Sequence, residues 1–220
     1  MCPTSMNKER HSAHLVSITP DAEKQIVYMA RVSNPKNQGN HETSAKLVKY
    51  LIKHKHWSPF EMATMQVEIN TTRAIAAQVL RHRSFSYQEF SQRYSSVDQL
   101  GAVGMPHLRR QDNKNKQASH DDLDPEMKGF MELQIQQLYN ASFDYYEYLL
   151  SKGVAKECAR SILPLGTPTR LYMSGSIRSW IHYVQIRAGI ETQLEHRMIA
   201  QDVKEILRKN LPAVYEASFS

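Results

Sequence analysis

The chain has 220 residues, 41% of them hydrophobic and 23% charged, with a formal net charge of +6. That length favours one sizeable core and a single domain, and the charge points to anionic partners: nucleotides, nucleic acid or an acidic membrane surface. No apolar run approaches the length of a membrane span, and the polar N-terminus lacks a signal-peptide core, so the expected compartment is the cytoplasm.

Residues 1–12 read as a flexible tail, and 14–18 as a first strand. Thr19-Pro20-Asp21 reads as a helix start, with Thr19 as N-cap and Pro20 in the first turn, ahead of a helix that turns Ile26, Val27 and Ala30 inward. A loop follows over 34–41, then a helix over 43–54 with Leu47, Val48, Leu51 and Ile52 on one face. Pro59 makes the His-rich stretch 53–61 a turn. Residues 64–69 alternate, Met65, Val67 and Ile69 against Gln66 and Glu68, as a half-buried strand does. Asn70-Thr71-Thr72 is expected to cap a helix running to Leu80.

Residues 101–124 are first basic and then acidic, and read as a solvated polar insertion loop. Asp124-Pro125 starts a long helix that Gly153 stops, with Met131, Ile135, Leu138, Tyr145 and Leu149 at helical spacing. A short helix ends before Pro164 and carries Cys158, expected as a small buried residue. A strand over 169–174, a helix over 177–188 broken at Gly189, and a last helix over 192–209, which buries Ile199, Val203 and Ile206 and stops before Pro212, complete the expected elements. The expected fold class is α+β: a small mixed or antiparallel sheet flanked by several helices.

One stretch concentrates the chemistry. Residues 81–94 hold Arg81, His82, Arg83, Arg93, three serines, two amides and Glu89, interleaved with Phe85, Tyr87, Phe90 and Tyr94. Aromatic rings at that density need burial or a flat ligand, and arginines need anions, so a pocket for something planar and phosphorylated satisfies both. A basic nucleic-acid-binding surface is the rival reading, but the arginines stand in islands between apolar helices rather than along one stripe. The sequence holds no phosphate-binding glycine loop and no nucleophile elbow. Cys2 and Cys158 cannot make a disulfide framework, and the histidines lack zinc-site spacing, so no metal is expected. Chemistry then has to come from a bound organic cofactor.

Arg81-His82-Arg83, seven residues and then Ser91 resemble the signature of the flavin-dependent thymidylate synthases, the ThyX family. Ala30-Arg31-Val32-Ser33, the 56–61 turn, the 87–94 continuation, Ala159-Arg160 with Leu163-Pro164, Thr169-Arg170, Arg178-Ser179 and Arg187 resemble further family segments in family order. The resemblance covers about residues 14 to 208. It implies reductive methylation of dUMP to dTMP, with FAD as cofactor, methylenetetrahydrofolate and NADPH as co-substrates, and a homotetramer with active sites where subunits meet. A related flavin enzyme that hydroxymethylates the uracil C5 position remains an alternative.

By that resemblance His56, Ser58, Arg81, His82, Arg83, Glu89, Ser176, Ile177, Arg178 and His182 are the expected FAD contacts. The expected dUMP contacts are Gln78, Val79, Leu80, Arg81, Glu89, Phe90, Ser91, Gln92, Arg93, Arg160 and Arg187. Arg187 matches the family arginine beside uracil N3, where a permanent cation favours the N3-ionised ring and makes C5 a better nucleophile; it is the expected catalytic residue. Gln88, Ser176 and His182 stand where family sequences often carry Asn, which keeps hydrogen-bonding capacity but changes reach. Arg178 and His182 share a helix face, whereas Arg187, nine residues on, is turned about half a revolution away. The helix is therefore expected to wedge between subunits or to wrap the site with its last turn.

Overall fold

Alternating side chains build the sheet, because successive residues of a strand point to opposite faces. The computed structural model describes residues 10–101 and 104–220. Cys2 and most of the expected tail, and two residues of the expected insertion, lie outside them. In chain order the first elements are β1 (Ser12–Ile18), α1 (Ala22–Ala30), α2 (Ser44–Lys53), a 3-10 turn (Ser58–Glu61), β2 (Thr64–Thr72), α3 (Arg73–Val79) and β3 (Ser86–Glu89). Then come β4 (Arg110–Gln111), β5 (Ser119–His120), α4 (Pro125–Ser151), α5 (Lys156–Ala159), β6 (Pro168–Ser176), α6 (Ile177–Arg187), α7 (Leu194–Asn210) and α8 (Pro212–Phe219).

Four strands form one sheet in the order β1-β2-β6-β3. Backbone bonds at the strand ends give its direction. Ile177 N–H donates to Ala63 C=O at one end of the β2–β6 pair, and Arg73 N–H donates to Thr167 C=O at the other, so the two strands are antiparallel. Met65, Val67 and Ile69 of β2 are fully buried, as their alternation requires.

Two compact units divide the chain. The C-terminal unit comprises Ser12–Ile69, Leu80–Gln88 and Tyr172–Ser220. In it α2 packs on α8, α7 on β1, and α6 on α7. Ile26 and Val27 of α1, Val48 of α2, Trp180 and Tyr183 of α6, and Ile199, Val203 and Leu207 of α7 are buried. The long-helix unit comprises Asn70–Val79 and Glu89–Leu171 with the segment ending at His11. Its core joins Val97, Tyr146 and Ala159, with Phe143, Leu149, Leu150, Val154 and Leu163 packed around them.

Several expectations are corrected. Thr19 is not an N-cap: α1 begins after Asp21 in the left-handed region, and Thr19 instead holds β2 through Thr64. Residues 70–72 belong to β2, and the first N–H groups of α3 are satisfied by the carbonyls of Thr167 and Leu165 rather than by a side-chain cap. Pro212 does not close the chain's helices. It occupies the first turn of α8, where its missing N–H is harmless. Ile206 is only half-buried, and Leu207 fills that place in the core. The expected insertion folds in part into a hairpin, Arg110 opposite His120 and Gln111 opposite Ser119. Cys158 is exposed.

The long helix starts and stops as read. Asp124 Oδ1 accepts from Met127 N–H at 2.9 Å, and Gly153 takes φ +78° past the end. Its inward face differs, however. Tyr146 is its buried residue, while Met131, Leu138 and Tyr145 are exposed.

Candidate active site

In the C-terminal unit the residues 81–85 make a turn between α3 and β3, and aromatic packing pins it. Phe85 is buried, its ring centroid 4.7 Å from that of Trp180 at 70°, an edge-to-face contact. Gly175 of β6 leaves room for that ring: a β-carbon there would lie 2.7 Å from Phe85 Cε1 and 3.3 Å from Cγ. Trp180 in turn donates from Nε1 to the Met65 carbonyl at 3.0 Å. Tyr87 donates its hydroxyl to the His82 carbonyl at 2.7 Å, and burial pushes its pKa up to about 12. Phe85 and Tyr87 are thus engaged with Trp180 and the His82 carbonyl rather than offered as a stacking surface beside Arg81 and Arg83, while Tyr94 is exposed. Arg81 and Arg83 are exposed, and among the described residues neither guanidinium has a hydrogen-bond or ion-pair partner.

His82 is half-buried between these arginines and faces inward. Arg187, the last residue of α6, donates from Nε to His82 Nε2 at 2.9 Å. An arginine can only donate, so that nitrogen presents a lone pair and His82 is neutral with its proton on Nδ1. Burial, then the charges of Arg187 and His182, bring the His82 pKa down from 6.5 to about 4. Beneath it His196 Nε2 pairs with the Tyr183 hydroxyl at 3.1 Å. Both are fully buried, and burial, then Arg187 and His82, lowers His196 to about 3.

A second cluster sits where β6 enters α6. Glu61 Oε2 accepts from the Ser176 hydroxyl at 2.5 Å and Glu61 Oε1 accepts from Arg178 at 2.7 Å. The Ser176 bond, opposed by burial and helped by Arg178, holds the Glu61 carboxyl below its ordinary range. Ser176 also caps α6, its Oγ accepting from Ser179 N–H at 3.3 Å. Ile177 is buried, and His182 is exposed, as are His56 and Ser58. Arg178 and Arg187 meet different partners along one regular helix, Glu61 and His82 respectively, as their half-revolution offset requires.

The other expected residues, Leu80 excepted, lie in the long-helix unit. Glu89 accepts from Arg73 and, at 2.9 Å, from Thr169 Oγ1. Phe90 N–H donates to the Arg170 carbonyl at 2.9 Å. Arg93 donates from Nε to Glu157 at 3.2 Å. Ser91 is exposed, Arg160 half-exposed, and Gln92 buried with its Nε2 unpartnered among the described residues. Gln78 and Val79 end α3, and Leu80 follows them, 37% exposed. Among the described residues no cluster of three or more His, Cys, Asp or Glu could hold a metal ion.

A family model described as thymidylate synthase complementing protein matches residues 14–213. Over 214 residues the chain is 50% identical to a probable flavin-dependent thymidylate synthase of Paramecium bursaria Chlorella virus 1, spanning 94% of this chain and 98% of that one. The chain belongs to the flavin-dependent thymidylate synthases. A flavin-dependent thymidylate synthase of Synechocystis sp. is also 50% identical over 192 residues, 87% of each chain. Among solved structures, the UMP/dUMP methylase PolB from Streptomyces cacaoi, bound with 5-Br dUMP, matches with a TM-score of 0.80 and 25% identity over 94% of each chain.

As a flavin-dependent thymidylate synthase, the chain has a donor set that suits FAD. Two exposed guanidiniums without a carboxylate, Arg81 and Arg83, match a diphosphate, and Arg178 keeps further N–H donors beyond the one given to Glu61. Glu89 has a partner within the chain. Its Oε1 is held by Arg73 and Thr169, so it orients an arginine that sequence reading did not single out. Glu61, Tyr183 and His196 also went unread as site residues. Glu61 follows Ser58-Pro59 closely enough to have been suspected, but nothing local to Tyr183 or His196 announces that they meet.

Proposed function

We propose that this flavin-dependent thymidylate synthase makes dTMP by reductive methylation of dUMP. Methylenetetrahydrofolate supplies the carbon, and NADPH supplies reducing equivalents by way of FAD. The end-to-end 50% identity with a relative named for this activity carries the reading, and the dUMP analogue bound to the Streptomyces methylase supports the nucleotide. FAD, when bound, supplies the hydride chemistry. The remaining roles belong to the chain's own groups.

Arg81 and Arg83 neutralise phosphate or polarise ring carbonyls, joined on the flavin by His56, Ser58, Ser176, Ile177, Arg178 and His182. Ser91 and nearby backbone N–H groups hold the dUMP phosphate. Arg160 and Arg93 supply charge there, Arg93 while paired with the exposed Glu157. Gln92 has an unpartnered buried amide nitrogen to offer to the nucleotide. Arg187 is the catalytic residue. Its guanidinium faces no carboxylate among the described residues, so its full charge is available to stabilise negative charge at uracil N3. A homotetramer in the cytoplasm belongs to the same proposal. Supporting it, α4 exposes Phe130 (65%), Leu133 (56%) and Leu138 (69%), apolar surface that a partner subunit would cover. Among the described residues no helix is long and apolar enough to cross a membrane.

The test is anaerobic. Purified protein is yellow and bleaches with NADPH, and incubation with dUMP and methylenetetrahydrofolate yields dTMP. Arg187→Ala keeps the flavin but loses roughly 10²–10³ in kcat, the usual loss on removing one group that stabilises developing charge. Colourless protein that takes up no flavin, or a hydroxymethylated product, overturns the proposal.

A further inference from the structure

We propose that His82 acts as a positioning residue that aims Arg187 through the Nε2 lone pair of its imidazole, and that the buried Tyr183–His196 pair is the seat holding that ring in place. The inference deepens the proposed function and rests on its assignment of Arg187 as catalytic.

The donor atom leaves the rest of the guanidinium open. Arg187 uses Nε for His82, at 2.9 Å. Its two terminal amino groups have no hydrogen-bond partner among the described residues, so the guanidinium fork stays available to a planar ligand while its rotation is fixed from the side. A carboxylate in the place of His82 would also fix it, but would cancel part of the charge the reaction needs. A neutral imidazole accepts without cancelling.

Beneath His82 lies its seat. Tyr183 and Arg187 are four residues apart on α6 and therefore share a face, and His82 packs against the lower of the two. The His82 ring meets Tyr183 edge-on at 5.0 Å and 76°, and meets His196 at 6.2 Å and 86°. Phe85 closes a third side at 6.5 Å. Tyr183 and His196 have no solvent exposure, and His196 Nδ1 has no partner among the described residues. Stability alone would favour apolar side chains at such positions, since a buried polar atom left unpaired is destabilising. The hydrogen bond between the pair anchors the hydroxyl end of Tyr183, and the Tyr183 ring is the surface against which His82 is set.

Among the described residues the titratable groups of this cluster and facing it are His82, His196 and Tyr183 with Arg187, His182 and Tyr87, all cationic or neutral at pH 7. Protonating His82 would place a cation against Arg187 and remove the acceptor, and burial opposes it. The acceptor therefore persists across the neutral range.

The experiment has two arms. The first needs no turnover. In ¹⁵N NMR of the histidine side chains at pH 7, His82 shows a protonated Nδ1 and a bare Nε2, and Arg187→Ala relaxes that tautomer preference. A protonated Nε2 in the wild-type protein overturns the proposal whether or not the enzyme makes dTMP. The second arm is kinetic. His82→Gln, which retains an acceptor near the Nε2 position, keeps kcat within about tenfold, while His82→Leu falls about as far as Arg187→Ala, roughly 10²–10³. Combining His82→Leu with Arg187→Ala adds little further loss, as expected of residues acting as a unit. Independent, multiplicative losses would overturn the proposal, as would a His82→Leu protein whose only defect is weaker flavin binding. If His82→Leu does not fold, His82→Gln and the NMR arm still decide. For the seat, His196→Phe lowers kcat with little change in KM, and Val203→Ala, a core change elsewhere on α7, serves as the control. Equal kcat in the two variants shows His196 to be merely structural and overturns that half.

Discussion

Replacing Gly175 with alanine adds one methyl group where the structure has no space for it. The new carbon would approach Phe85 Cε1 to 2.7 Å and Cγ to 3.3 Å, and Cδ1 more closely still, whereas carbon atoms pack comfortably at about 3.5–4.0 Å. The ring would have to retreat by about 1 Å, and it is boxed in by Trp180 at 4.7 Å, Tyr183 at 6.2 Å and Tyr87 at 6.4 Å. Overpacking of this kind costs about 1–3 kcal/mol, from which about 0.5–1 kcal/mol is recovered because alanine loses less backbone freedom than glycine. At mid-range values, about 2 less about 0.75, the net loss is about 1 kcal/mol, and with a urea m-value near 2 kcal/mol/M the unfolding midpoint falls by about 0.5 M.

Phe85→Leu in the same chain restores room, so the double variant is less destabilised than the sum of the singles by at least about 0.5 kcal/mol. Flavin retention follows, because the displaced ring drags the turn whose His82 and Ser84 carbonyls are held by Tyr87 and Ser179. A Gly175→Ala protein with an unchanged midpoint, or strict additivity with Phe85→Leu, would refute the packing argument.

Removing the cap of α4 by Asp124→Ala deletes the bond to Met127 N–H and lowers stability by about 1 kcal/mol; a thermal melt should drop by about 2–4 °C, with faster amide exchange confined to the first turn. Glu61→Gln tests the β6–α6 corner. Because the folded Glu61 pKa lies below its ordinary 4.5, the stabilisation is present above about that pH and lost as pH falls through the folded value. Melting temperatures of wild type and variant should differ at pH 7 and converge below pH 4.5, and a constant offset down to low pH would contradict the assignment. His196 works in the same direction. Its folded pKa of about 3 lies below the unfolded 6.5, so stability is full above 6.5 and declines as the pH is lowered between those values. His196→Phe should flatten that decline by up to one proton, about 1.4 kcal/mol per pH unit, measurable by urea unfolding between pH 7 and 5.

Local chemistry made much of the fold legible. Alternation marked β2 at Met65, Val67 and Ile69, and Asp124-Pro125 with Gly153 marked both ends of α4, because period, cap and left-handed glycine are short-range properties. Where a distant segment competes for the same group, local reading failed. Thr19 looked like a cap until Thr64 claimed it, and residues 70–72 looked like a cap until the sheet did. Cys158 and the outward face of α4 show the same limit, since spacing says that side chains share a face but not which face is covered.

The site divides along the same line. Residues 81–83 drew attention by their mix of arginines and rings, and Ser91 and Arg187 by family resemblance, and all of them enter the proposed site on that footing. Their partners were not legible in the sequence. That Phe85 would lie on Gly175, that Glu89 would take Arg73, that Glu61 would gather Ser176 and Arg178, and that Arg187 would rest on a neutral His82 above Tyr183 and His196 are contacts between residues far apart in the chain. Such contacts depend on where strands and helices lie in space, and on which charges burial allows to persist. The sequence by itself determined which groups are available for the chemistry. The tertiary structure decided which of them are held, by what, and in which protonation state.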